Sequence, residues 1–291
     1  MKLHKVIRWE FLNTVRSKQF LIMTILLPAL IALAIFAITL AEGIGVSANS
    51  PMSEPPPPFL IGLMLGLILF VGAFMSGVMA MYAIIKEKQS RVVELMLSSV
   101  SAWDLMAGKI IGLGMAGLIQ VIAWAATAYF VANRFASFPL STLTAVHWIT
   151  YPLYFILGYL LIASMFAMVG AAIKDIHSGG SVGLVGMIPY LPMVFAAAII
   201  KNPDMLWIRI AGFFPPFTPG IMMLRIGATP VISDGARFVP VWEIALSLCS
   251  LALGVFLMMR FATKVFHVGI LMYGKSASFR ELWKWGRQRS I

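Results

Sequence analysis

The sequence is poor in the groups that most site chemistry needs. It has one cysteine, Cys249, in 291 residues. That excludes an internal disulfide and any multi-cysteine zinc or iron–sulfur centre. Its four histidines, His4, His147, His177 and His267, are scattered, with no i, i+4 pair to hold a metal. Charged residues make up only 11% of the chain, against about 25% in a soluble domain. Strict polar/apolar alternation over about ten positions, the mark of a barrel strand, is also missing. A soluble enzyme, a disordered tail and a disulfide scaffold are therefore excluded.

What is present is apolar. Hydrophobic residues make up 60% of the sequence and the mean hydropathy is +0.93. A bilayer-spanning helix needs about 20 mostly apolar residues. Six stretches qualify: Gln19 to Ala41, Phe59 to Ile85, Ile110 to Asn133, Trp148 to Ala172, Ser181 to Ile200 and Val239 to Met259. Six spans place both termini on one side. The net charge of +11 would suggest nucleic acid in a soluble protein, but here its distribution matters more than its sum. Seventeen of the 22 Lys and Arg residues fall on the side of the termini, which the positive-inside rule makes cytoplasmic. Residues 1–41 have the outline of a signal peptide, but the apolar stretch exceeds the usual limit of about 15 residues, so it reads as an uncleaved span.

The segments between the spans carry further signals. In residues 1–18, Leu3, Val6, Ile7, Phe11 and Val15 share a helical face, and Lys2, Lys5, Arg8 and Arg16 fall largely on another. This suits an interfacial helix. Ser278 and Glu281 have capping-box spacing in a basic cytoplasmic tail over 263–291. The loop Glu42 to Pro58 contains four consecutive prolines, a stiff spacer. Residues 86–100 alternate in charge at Lys86, Glu87, Lys88, Arg91 and Glu94 and offer apolar Val92, Val93, Leu95, Met96 and Leu97. Ser98 and Ser99 break this helix, and Ser101 with Asp104 caps the next one. Residues alone leave two readings equal here: a headgroup anchor, or a docking helix for a soluble partner. The external segment 201–238 contains Pro215, Pro216 and Pro219, which cannot sit inside a continuous helix. Its flanks are too apolar for a solvated loop. An irregular, half-buried re-entrant hairpin over Phe213 to Arg225 is expected, supported by protein neighbours.

Two catalytic motifs are false. Gly269 to Ser276 matches the phosphate loop G-x-x-x-x-G-K-S, but it follows a span and only fifteen residues remain after it. Gly179 to Gly183 matches the nucleophile elbow around Ser181. His147 is expected on the opposite membrane face, so a hydrolase would lack its base. Gly62/Gly66 and Gly108/Gly112 have the small-xxx-small spacing of close helix contacts. The first five spans carry no ionisable residue at mid-depth, and Glu243 sits near the outer end of the sixth. A proton or sodium relay is hard to build from this, so energy is expected from outside the chain.

At this point the sequence resembles the permease subunits of type-2 ABC exporters, of the NatB-like kind. The resemblance rests on four features: the amphipathic N-terminal helix; Lys86 to Ser99 continued by Leu105 to Lys109, similar to a signature after the second span; Phe214 to Pro219 with Met222 to Arg225; and Val268 to Lys275, which also accounts for the false phosphate loop. The resemblance implies an all-α polytopic membrane protein, a single permease domain over 1–291, located in the cell membrane. It implies a dimer with a second copy or a paralogue, docked on two cytoplasmic ABC ATP-binding subunits. No cofactor or metal is expected on this chain; ATP and magnesium belong to the partner. By analogy Glu87, Arg91, Val93, Glu94, Leu95 and Leu97 form the coupling helix, and Phe214, Pro215, Pro216, Phe217, Pro219 and Arg225 line an outer gate. The chain itself is then no enzyme, and its other contacts are membrane lipids, not nucleic acid. The short Glu42 to Pro58 loop departs from relatives with a large external domain there, which leaves sodium open as a substrate. Competing readings are an ion-gradient-driven secondary carrier, an intramembrane hydrolase using Ser181, and a membrane anchor that recruits an ATPase.

Overall fold

A computed structural model describes residues 2–18, 20–22, 24–26, 28–29, 33, 58–89, 100–135, 145–173, 187–228 and 239–271. Every regular element among them is helical. In chain order these are α1 (Lys2–Val15), α2 (Pro58–Gln89), α3 (Ala102–Phe135) and α4 (Ala145–Ala172). A 3₁₀ turn (Ile188–Tyr190) and the short helices α5 (Leu191–Val194), α6 (Ala196–Lys201) and α7 (Leu206–Ala211) follow. The last two are α8 (Thr218–Ala228) and α9 (Val241–Leu271). Four stretches of these are long and apolar enough to cross a membrane: Phe70–Gln89, Ala102–Trp124, Ala145–Ala172 and Val241–Gly269. Most of the first expected span, most of the proline spacer, Ser181 and the tail beyond Leu271 lie outside the described residues.

Local chemistry sets several helix ends. Ser101 Oγ accepts the Asp104 backbone N–H at 3.0 Å, which caps α3 where the sequence signature expects it. Ser17 Oγ accepts the Phe20 N–H at 3.2 Å, just after α1 ends. α2 runs on through Lys86–Gln89, so the first four residues of the expected 86–100 segment are its last turn. Nothing between Ile85 and Gln89 interrupts a helix, and Glu, Lys and Gln favour one.

The centre is α4. It packs against α2 and α9 along most of its length, with all three running the same way, and α3 lies antiparallel beside α2. Tyr154, Tyr159, Ala163 and Phe166 of α4 are almost wholly buried. α9 is the least covered of the four, presenting Leu246, Leu253, Phe256 and Leu257 outward. Lipid tails are as apolar as these side chains, so close packing rather than the hydrophobic effect holds such helices together.

α1 shows how close that packing is. It lies on α3 at Gly108 and Gly112. A Cβ at Gly112 would sit 2.8 Å from the Ile7 carbonyl oxygen and 2.8 Å from the Glu10 Cβ. The small-xxx-small pair is thus a contact surface for α1. Gly112→Val is expected to free α1 while leaving the bundle intact. Trypsin cleavage at exposed Lys5 and Arg8 should then speed up about tenfold, and an unchanged rate would refute the contact.

Two expectations change here. The stretch 181–200 does not form one continuous helix where it is described. From Met187 it is a 3₁₀ turn and two short helices separated at Phe195; Pro189 and Pro192 stand in the first turns of the 3₁₀ turn and of α5, where each starts a new element rather than continuing the one before. The Phe213 to Arg225 segment is less irregular than expected. Only residues 212–217 form turns; from Thr218 the chain is an eleven-residue helix, α8, buried along its whole length. Pro219 stands in its first turn, where a missing N–H costs nothing.

Candidate functional site

Among the described residues, the ion pairs gather at the two ends of the bundle. One end holds α1, the C-terminal ends of α2, α4 and α9 and the start of α3. Here Lys109 is 1% exposed. Its Nζ donates to Glu10 Oε1 of α1 and, at 2.5 Å, to Glu87 Oε1 of α2. Burial pushes the Glu10 carboxyl above the usual carboxylate range; Lys109 opposes that shift and the like charge of Glu87 adds to it. Trp9 places its ring 6.0 Å from the ammonium. The neighbouring Lys88 turns elsewhere: its Nζ donates to the carbonyls of Ala171 at 2.6 Å and Ile173 at 3.1 Å. These are acceptors left over at the end of α4. Gly269 of α9 meets the same place, where a Cβ would stand 2.5 Å from the Ala171 oxygen. The first glycine of the false phosphate loop therefore serves helix packing.

The opposite end is built from residues 187–228 with the starts of α4 and α9. Arg225, in the last turn of α8, is 0% exposed. Its Nη1 lies 2.9 Å from Glu243 Oε2, its Nε donates to the Pro203 carbonyl at 2.8 Å, and Asp204 stands 3.6 Å from Nη2. Arg209 of α7 donates to the other oxygen of Glu243. Two cations and two carboxylates thus form one cluster that ties α7, α8 and α9. The turn before α8 is pinned to α9 as well. Ser250 Oγ donates to the Phe213 carbonyl at 2.6 Å, the Phe213 and Trp242 rings stack at 6.5 Å, and Pro215 fills the space at Gly254. Beside this end, Leu118, Val121, Tyr151, Pro152, Phe155 and Met223 line an apolar groove of about 340 Å³ between α3, α4 and α8.

Of the expected coupling residues, Glu87 is the one described, with its carboxylate engaged on Lys109. Arg91, Val93, Glu94, Leu95 and Leu97 lie outside the described residues. Of the expected gate residues, Phe214 is exposed, Pro215, Pro216 and Phe217 are half-buried, and Pro219 and Arg225 are buried. Sequence reasoning missed the pairing of Glu10 with Lys109, the tie from Lys88 to the end of α4, and the pairing of Arg225 with Glu243. One signal was available: Glu10 is the sole acid in residues 1–41 and falls in phase with apolar Leu3, Val6 and Ile7. Among the described residues no group of His, Cys, Asp and Glu could hold a metal ion.

Apolar helices of this length, closely packed and, among the described residues, with ion clusters at their ends, define a polytopic helical membrane protein. Residues 44–264 match the family described as ABC-2 family transporter protein, and the chain belongs to that family. It is 26% identical over 234 residues to the uncharacterized protein YhaP of Bacillus subtilis, covering 77% of this chain and 54% of that one. It is 28% identical over 205 residues to the uncharacterized protein MJ1024 of Methanocaldococcus jannaschii, covering 69% and 47%. The chain spans about half the length of these curated relatives.

Proposed function

We propose that the chain is the membrane subunit of an ATP-driven ABC exporter, which forms a translocation pathway as a dimer and is driven by two separate cytoplasmic ATP-binding subunits. The observation that carries this reading is the family match over residues 44–264. The arrangement of the bundle supports it. The ends of α2, α4 and α9, the start of α3 and α1 converge on one end of the bundle. In this reading that end is cytoplasmic, with Arg91, Val93, Glu94, Leu95 and Leu97 as the docking contacts and Glu87 at their inner margin. The segment 201–238 faces outside as a re-entrant element, with Phe214 to Pro219 at an outer gate braced by Arg225. A substrate that is hydrophobic or amphipathic suits a pathway with few charges and a groove lined by apolar groups. An ion-specific pathway closer to NatB-like exporters would instead use backbone carbonyls.

Affinity purification of the tagged chain in mild detergent tests this. An ABC ATP-binding subunit is expected in stoichiometric amount. Arg91→Glu or Glu94→Arg should reduce its recovery about tenfold or more and leave membrane insertion intact. If no such subunit accompanies an intact dimer, the reading fails and flux driven by an ion gradient becomes the one to measure.

A further inference from the structure

The last turn of α2 carries two adjacent charges that hold different parts of the molecule. Glu87 accepts from Lys109, and the same ammonium donates to Glu10, so this residue ties α2 to α3 and, one step further, to α1. Lys88 donates to Ala171 and Ile173 and so ties α2 to the end of α4, where Gly269 brings in α9. Consecutive residues on a helix point about 100° apart, which lets one turn serve two neighbours. The ties are directional and charge-assisted, unlike the dispersion contacts around them. Lys109 is 1% exposed and Glu10 3%, so water does not compete for them.

We propose that Glu87 and Lys88 divide the mechanical output of the α2–α3 junction between two blocks: α1 with α3 through Lys109, and α4 with α9 through the carbonyl end of α4. Lys109 and Lys88 are then positioning residues. The consequence for coupling rests on the exporter reading above; the division itself does not.

Hydrogen exchange of the full chain in lipid nanodiscs tests the division. In Glu10→Gln, amides of residues 2–15 should exchange about tenfold faster, and so should those at the end of α2, which Glu10 does not touch. Residues 165–172 should be unaffected. In Lys88→Met the pattern should reverse, with residues 165–172 and 262–269 loosened and 2–15 unchanged. Loosening confined to α1 in the first variant, or both blocks loosened in either, overturns the proposal. In the complex with its co-purified ATP-binding subunit, Lys109→Met and Lys88→Met should keep subunit binding and the KM for ATP. The permease-dependent kcat should fall about tenfold, and Lys109→Arg should restore it. Wild-type kcat in both variants also overturns the division while leaving the exporter reading intact. If no ATP-binding subunit is recovered, the exporter reading fails instead, and the exchange pattern alone decides the division.

Discussion

Glu243→Leu is expected to lower the stability of the chain by about 3–5 kcal/mol, because it strands a buried guanidinium. Arg225 is 0% exposed and its nearest carboxylate is Glu243, 2.9 Å from Nη1. What remains after the substitution is Asp204 at 3.6 Å, one backbone carbonyl and the weak acceptor Met222 Sδ at 3.7 Å. The reciprocal change, Arg225→Met, should cost less. Glu243 then keeps Arg209, whose side chain is 38% exposed and linked to water. The double variant should lie well below the sum of the two single costs, since a buried pair replaced by apolar groups leaves no orphaned charge. Thermal unfolding in detergent, followed by fluorescence-detected gel filtration, measures all three. Additive losses would mean that the pair is not coupled as its geometry shows.

Gly117→Ala is expected to destabilise the bundle through a single methyl group. A Cβ there would overlap the Tyr159 hydroxyl outright and lie 2.5 Å from the Ser76 Oγ. Tyr159 is 0% exposed and its ring stacks on Phe155 at 6.5 Å, so it has no free direction in which to move. Overpacking of this kind costs about 1–3 kcal/mol and at times more. Gly114, one turn away, is the internal control. A Cβ there would make ordinary contacts, 3.4 Å to Leu160 and 3.6 Å to Tyr159. Gly114→Ala should therefore be neutral or stabilising, because alanine favours a helix over glycine by about 1 kcal/mol. Unfolding midpoints of the two variants should move in opposite directions or differ by several degrees. Tyr159→Ala should recover part of the Gly117→Ala loss. Equal behaviour of the two glycine variants would sink the argument.

The helices themselves were largely legible. Uninterrupted apolar stretches announce α2, α3, α4 and α9, since a backbone in lipid must satisfy its own hydrogen bonds. Ser101 and Asp104 announce where α3 begins, and the spacing of Leu3, Val6 and Ile7 announces α1. The small residues Gly108 and Gly112 announced a close contact but not its partner. Three prolines precede or open α8, and they make it look irregular in sequence. Proline forbids continuation from the preceding turn, yet it is welcome in the first turn of a new helix. The stretch from Met187 is apolar enough for a span, yet Pro189 and Pro192 each open a new short element within it.

The sequence by itself determined that this is a helical membrane chain, where its long helices run, and that its charges gather at helix ends. The coupling segment and outer gate came from resemblance, and the family match supports the class to which they belong. Which side chains meet was decided by the tertiary structure alone. Glu10 and Lys109 are 99 positions apart, and Lys88 finds its carbonyls 83 and 85 positions away. The reason is physical. A surface helix of a soluble protein advertises its buried face by a polar opposite face. A helix in lipid is apolar all round, so its pattern does not say which face meets protein and which meets lipid. That choice is made by shape, through notches such as Gly112 and Gly117, and by buried charges that must find one another once the helices are side by side.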